Sequence, residues 1–321
     1  MDVNTAPPEP PHAAYPAVFR QYIQRSAQIA LEIVRSAGPV LPAEQREQSL
    51  HTLEFAMGLP EAWPEARDLL IDLGPRLDRA GMRQDAVQFL QRAIEQCEAI
   101  GDAAGQAEFE VQLATLRVAA GRMDEGRALL QASAARFAAL GDRHNQARAL
   151  NNWAYLELVQ QRTDSASQLV RQAMSMASPD DSETTYGQFV LGCLAMERRD
   201  WTDALACFQQ ALAGWRRHDD PVMEARSLTN LGAAQRGLGL FDEAIGSFSE
   251  AIALMETLDD PVNQALTRMN LGNLYWAKGE PQQALALFVQ AEPVFRQTQD
   301  DLRLARVNNG LGVVSLQLGQ M

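Results

Sequence analysis

The chain holds almost no lysine: of its 28 basic residues, Lys278 alone is not an arginine. Both side chains serve on a solvated helix face, so this points to a coding bias and not to a lost chemistry. Cysteine is scarce as well. Cys97, Cys193 and Cys207 are odd in number and no CxxC pair occurs, which excludes a disulfide framework and a thiolate zinc site. They read as small buried hydrophobes. The four histidines, His12, His51, His144 and His218, stand apart, and no HExxH, GxSxG or GxxxxGKS/T motif occurs. With no nucleophile, metal or phosphate constellation, the chain reads as a non-enzyme, without catalytic residues, metal or cofactor. It lacks an apolar signal core and any run of about eighteen apolar residues, which reads as soluble and cytoplasmic. A net charge of −13 and a pI near 4.8 argue against nucleic acid or anionic membrane as general partners.

What the chain does have is a period. From Leu191 to Gly312 it runs in three consecutive blocks of forty residues, each opening on Leu-Gly, at Leu191, Leu231 and Leu271, with a fourth Leu-Gly at Leu311. Traced backwards, the same position holds Leu73-Gly74, Leu113-Ala114 and Trp153-Ala154. One step is two residues short, and the deletion falls in the loop near Ser178–Thr184, where it leaves helical phase undisturbed. Six units and a seventh first helix, Leu302 to Leu318, result. Fixed spacing of this kind predicts a repeat architecture in which each unit packs on its neighbours.

Each unit reads as two helices. The first ends around Gly81, Gly121, Gly239 or Gly279, with Gln161 and Arg199 in the same register. Glycine there suits a left-handed cap and a tight turn between antiparallel helices. The second helix carries a small residue thirteen positions after the leucine (Ala204, Ala244, Ala284). A large one follows four later (Phe208, Phe248, Phe288) and another small one three beyond (Ala211, Ala251, Ala291). Small residues allow close approach and large ones fill the divergence. Asp219-Asp220-Pro221 and Asp259-Asp260-Pro261 supply capping and proline at the next helix start, in preference to paired acid–base work. The N-terminal segment differs. Residues 1–16 are proline-rich and read as disordered. Residues 17–62 carry two helices, about 17–37 and 43–57, that form a cap or degenerate first repeat, and the repeats occupy 63–321.

The Leu-Gly pair, the small residue at the crossing, the aromatic four on and the alanine that follows resemble the tetratricopeptide repeat, over roughly four-fifths of the chain. The usual unit has 34 residues; units of forty are similar to those of kinesin light chains and bacterial regulator and peptide-sensor proteins. The resemblance implies an all-α, right-handed superhelical solenoid of antiparallel helix pairs with two N-terminal capping helices. It also implies a concave groove lined by the first helices.

Charge is unevenly divided between the helices. Residues 225–238, 265–278 and 302–319 carry Arg226, Arg236, Arg268, Lys278, Arg303 and Arg306 and no acid. The helix expected from Phe241 to Asp260 carries six acids and no base. This predicts a basic inner face before an acidic outer wall, against the alternative that inner and outer helices exchange salt bridges. One residue before the leucine stand Asn152, Asn230 and Asn270, and the resemblance implies that such an asparagine bonds a peptide backbone. Five before it stand Arg148, Arg226 and Arg306, suited to a carboxylate. Tyr155, Arg236, Asn273 and Trp276 complete the expected groove set. The family's Lys/Asn/Arg carboxylate clamp does not map: Met269, Thr229 and Asn151 stand where its lysine belongs.

The expected function is a protein-interaction scaffold that binds a peptide or protein segment, acidic in character, in the groove. The alternative is a sensor or regulatory arm of a larger bacterial protein. The apolar residues of the last helix (Leu304, Val307, Leu311, Val313, Val314, Leu316) add an expectation of self-association.

Overall fold

The computed structural model describes residues 16–38, 40–298 and 300–319. The tail expected to be disordered lies outside them except for Pro16, as does Pro39 of the stop after the first helix. All regular secondary structure among the described residues is helical. In chain order the helices are α1 (Ala17–Ser36), α2 (Ala43–Ala56), α3 (Trp63–Arg79), α4 (Arg83–Ile100), α5 (Ala103–Ala119), α6 (Met123–Leu140), α7 (Arg143–Val159) and α8 (Thr163–Met176). They continue with α9 (Ser182–Glu197), α10 (Trp201–Arg217), α11 (Pro221–Gly237), α12 (Phe241–Thr257), α13 (Pro261–Ala277), α14 (Pro281–Gln297) and α15 (Asp301–Gln317). Two compact units divide them. One comprises the chain up to Asp78 together with Met82–Leu116, the other Arg79–Gly81 together with the chain from Arg117 onward.

In the first unit α1 packs on α2, and the stripe Ile23, Ala27, Ala30 and Val34 is buried as its spacing predicts, while Phe19 stays 39% exposed. The acids of α3 are held locally. Arg35 Nε lies 2.8 Å from Asp72 and its Nη2 3.2 Å from Asp68. Asp102 caps α5 by accepting from Gly105 N at 2.9 Å, and it also accepts from Trp63 Nε1 at 3.2 Å.

In the second unit consecutive helices pack as pairs, α7 with α8, α9 with α10, α11 with α12 and α13 with α14. Each first helix also touches the next one, α7 on α9, α9 on α11, α11 on α13 and α13 on α15. This is solenoid packing, with the first helices as one layer and the second helices as the other.

The pair crossing shows why the period is kept. A Cβ placed on Gly192, Gly232 or Gly272 would lie 2.7, 2.9 or 2.8 Å from the Cε1 of Phe208, Phe248 or Phe288, the aromatic sixteen residues on. Those rings are 0–1% exposed, and the alanines on either side, Ala204 and Ala211, Ala244 and Ala251, Ala284 and Ala291, are fully buried. Ring and missing side chain therefore share one space. Where the unit carries Ala154 in place of the glycine, the later position holds the smaller Val170.

The turn inside each pair takes a left-handed residue at one register position: Gly121 (φ 77°), Gln161 (61°), Arg199 (58°), Gly239 (77°), Gly279 (79°) and Gly319 (68°). Two units thus adopt there a conformation that costs an L-residue roughly 1–2 kcal/mol. Between units Asp219 (53°) and Asp259 (50°) do the same, which aspartate tolerates better than most residues. This corrects the expected second helix of that unit, which ends at Thr257 and not at Asp260.

Two stability outcomes follow. The cost of Gly232→Ala in chemical denaturation should be smaller in a Phe248→Leu background than in the parent, with a coupling of about 0.5–3 kcal/mol; additive costs would refute the shared space. Arg199→Gly should raise the unfolding free energy measured by chemical denaturation by roughly 0.5–1 kcal/mol, once the greater chain entropy of glycine is deducted.

Candidate functional site

The start of each first helix from α7 onward is fixed by an aspartate cap. Asp142, Asp181, Asp220, Asp260 and Asp300 each accept a backbone N–H of the first turn, at 3.1, 2.8, 2.9, 3.1 and 3.0 Å. Pro221 and Pro261 occupy the first helical position, where the missing N–H costs nothing. The acid pairs are therefore caps and turn residues.

Arg226 of α11 lies back over α9. Its guanidinium carbon is 5.4 Å from the Phe189 ring centroid on α9 and 5.9 Å from that of Tyr155 on α7, so one side chain spans three first helices. Nη1 approaches Met223 Sδ at 3.5 Å. No carboxylate pairs with Arg226 among the described residues. Burial opposes its charge, but the Tyr186, Tyr155 and Cys193 side chains around it favour it, and its pKa is raised. Burial also raises the Tyr186 hydroxyl and pushes the Cys193 thiol up to about 12. The result is a half-buried guanidinium laid on aromatic faces, an arrangement worth up to about 2 kcal/mol when desolvated.

Two of the asparagines bond back to their own helix. Asn152 Nδ2 donates to the Arg148 carbonyl and Asn230 Nδ2 to the Arg226 carbonyl, both at 2.9 Å and both one turn back on the same helix. Asn270 and Asn273 are half-buried on α13, Trp276 is 46% exposed there, Arg236 is exposed on α11 and Arg306 on α15. Of the expected residues, the structure joins Tyr155 to Arg226, Asn152 to Arg148 and Asn230 to Arg226; among the described residues no hydrogen bond, ion pair or ring contact joins Asn273, Trp276 or Arg306 to these. Phe189 and Met269 are packing residues, at 2% and 4% exposure.

Some of these charges are paired between neighbouring helices. Lys278 pairs with Asp242 at 3.1 Å, and Arg216 with Glu224 and Glu250 at 2.6 Å each, so layers do exchange salt bridges. Arg303 is turned onto Asp300. Arg236, Arg268 and Arg306 form no ion pair among the described residues. Glu157 of α7 is turned inward: 3% exposed, it accepts from Arg127 Nε at 2.6 Å and Trp153 Nε1 at 3.0 Å.

Glu183 was not singled out by its sequence position. It is 7% exposed at the start of α9, and Asn151 Nδ2 donates both to its Oε2 at 3.0 Å and to its backbone carbonyl at 2.9 Å. Burial raises its pKa, opposed by the Asn151 bond and by Arg148 and His144. His144 Nδ1 stands 3.1 Å from Asp181, whose carboxyl is held low, against burial, by the Glu183 N–H and His144. The sequence signal for Glu183 was an acid two residues after an aspartate cap, which reads equally as helix-dipole chemistry.

A raised carboxyl pKa means that the folded chain binds this proton more tightly than the unfolded chain. The ionised Glu183 therefore costs stability at neutral pH, and the cost fades as pH falls through its folded pKa. Glu183→Gln should accordingly raise the urea midpoint at about pH 7, with the gain shrinking towards about pH 4. A gain equal at both pH values would refute this.

Residues 183–257 and 264–291 match family profiles described as tetratricopeptide repeat. The sequence matches no curated protein. Among solved structures, a Rap protein complexed with Competence and Sporulation Factor is similar over 95% of this chain and 87% of its own, at 13% identity and a TM-score of 0.64. BtubC (BKLC) from P. vanneervenii is similar over 70% and 92%, at 20% identity and a TM-score of 0.52. Aspartyl phosphate phosphatase F from Bacillus subtilis is similar over 91% and 79%, at 13% identity and a TM-score of 0.52. At such identities the likeness concerns fold and does not transfer function. Residues 183–257 and 264–291 thus carry tetratricopeptide repeats, and the helix-pair packing of the second unit continues on either side of them.

Proposed function

We propose that this protein is an interaction scaffold whose layer of first helices binds an acidic peptide or protein segment, with Arg226 as its anchor. The observation that carries the reading is the Arg226 guanidinium, set against Phe189 and Tyr155 with no carboxylate of its own. Stacking engages the faces of a guanidinium and leaves the N–H donors at its edge, which match a carboxylate in a paired fork. Its side chain is already ordered, so a ligand carboxylate does not bear the full cost of immobilising it. Arg236, Arg268 and Arg306 extend the positive character along α11, α13 and α15, while Glu157 and Glu183 are withdrawn into the interior. In a chain of net charge −13 such a local patch steers an acidic ligand to one place. Asn152, Asn230, Asn270 and Asn273 supply amides beside it, and Arg148 and Trp276 complete the contact set.

A regulatory arm is the second reading. It draws on the similar Rap protein, whose structure holds Competence and Sporulation Factor, and the same face would serve it.

Binding to an array of short peptides of graded acidity tests the proposal. The parent chain should retain acidic peptides over neutral ones, and Arg226→Glu combined with Arg306→Glu should weaken that retention at least tenfold, or about 1.4 kcal/mol. Retention unchanged in a variant with an intact helical spectrum, or no preference for acidic peptides in the parent, would sink it.

A further inference from the structure

Helix α9 breaks the register of its neighbours. Five residues before the leucine, where α7, α11 and α15 carry Arg148, Arg226 and Arg306, α9 carries Tyr186. Arg226 of the next first helix lies over α9 there, its guanidinium carbon 5.4 Å from the Phe189 ring centroid. Phe189 is a shared floor, because its centroid is also 5.9 Å from that of Tyr186. Trp215 of α10 braces Tyr186 from the other layer, with centroids 6.4 Å apart and the rings at 81°. Phe189 and Trp215 are 2% and 4% exposed, so Tyr186 and Arg226 stand on rings that belong to the core.

Tyr155 of α7 forms the other side. Its ring centroid is 5.9 Å from the guanidinium carbon, and its hydroxyl is within hydrogen-bonding reach of the guanidinium. A guanidinium can only donate, so the Tyr155 oxygen accepts and its own proton is left for another acceptor. Burial holds the Tyr186 hydroxyl in its protonated form, so it too is a donor at neutral pH. Neither hydroxyl donates to an acceptor among the described residues. Both tyrosines are half-buried and reach the surface of the first-helix layer.

We propose that this place reads a carboxylate and discriminates against a phosphate, with the hydroxyls of Tyr155 and Tyr186 as donors beside the Arg226 guanidinium. The inference rests on the acidic-segment reading and names the group that the segment must present. Its ground is the match of charge and donors. A carboxylate brings one negative charge and two acceptor oxygens, which one guanidinium edge and the adjoining hydroxyls satisfy. A phosphate monoester brings nearly two charges. The charged groups that act most strongly on Tyr186 and Cys193 are one cation, Arg226, and two acids, Glu183 and Glu197. The second charge of a phosphate would therefore face acids with no second cation to offset them, and a partly desolvated charge without a partner is costly.

The test follows fluorescence anisotropy with the full chain and three fluorescein-labelled, end-capped dodecapeptides, in which glycine alternates with glutamate, phosphoserine or glutamine. The glutamate peptide should bind saturably and at least about fivefold more tightly than the phosphoserine peptide, and the glutamine peptide should not saturate. Tyr155→Phe and Tyr186→Phe each keep the ring and remove the hydroxyl. Each should weaken the glutamate peptide by about fivefold or more, the effect of one lost hydrogen bond to a charged group, with the helical spectrum and melting temperature of the parent. Binding of the phosphoserine peptide as tight as that of the glutamate peptide would overturn the inference. So would either tyrosine variant binding the glutamate peptide as the parent does. In both cases a glutamate peptide that still outbinds the glutamine peptide leaves the acidic-segment reading standing. A parent chain with no preference for glutamate over glutamine would overturn both.

Discussion

How closely the two helices of a pair can cross governs the second unit. Side chains normally hold helix axes 8–10 Å apart. At Gly192, Gly232 and Gly272 one backbone offers no side chain, and the phenylalanine of the other helix lies directly against it. That contact fixes the rotation of both helices at once, because the ring meets the glycine in only one phase. It explains why the chain keeps its forty-residue register, and why the loop near Ser178 tolerates a deletion where the crossing would not. With the rotation fixed, Arg226, Asn230 and their counterparts have no choice of face.

The fold was therefore legible wherever it depends on phase. The Leu-Gly positions, the apolar stripe of α1, the aspartate caps and the left-handed turn all follow from spacing alone. Register even located that turn at Gln161 and Arg199, where the residue type argues against it. The helix end misread at Asp260 shows the limit. Two aspartates in a row look like helix residues until the first takes a positive φ and the second becomes the next cap.

The candidate site was less legible, since it turns on where long side chains go once they leave the backbone. Spacing put Arg148, Arg226 and Arg306 in one register, but each has different company. Arg226 lies on Phe189 and Tyr155, residues that stand 37 and 71 positions earlier in the chain, and no pattern along a single helix links them. Asn151 and Glu183 meet in the same way, across neighbouring first helices. A count of charges likewise could not separate acids turned inward, such as Glu157, from acids such as Glu250 that stand in solvent beside Arg216.

The hydrogen bonds of Asn152 and Asn230 back to their own helix have a consequence for anything that lies against them. Each amide has given one N–H to the carbonyl a turn behind, which leaves the side-chain oxygen as the group best placed to meet a newcomer. An oxygen reads donors, so under the proposed function a segment seated over these residues gains by turning a backbone N–H towards each of them, and a proline, with no N–H to offer, gains nothing from that oxygen.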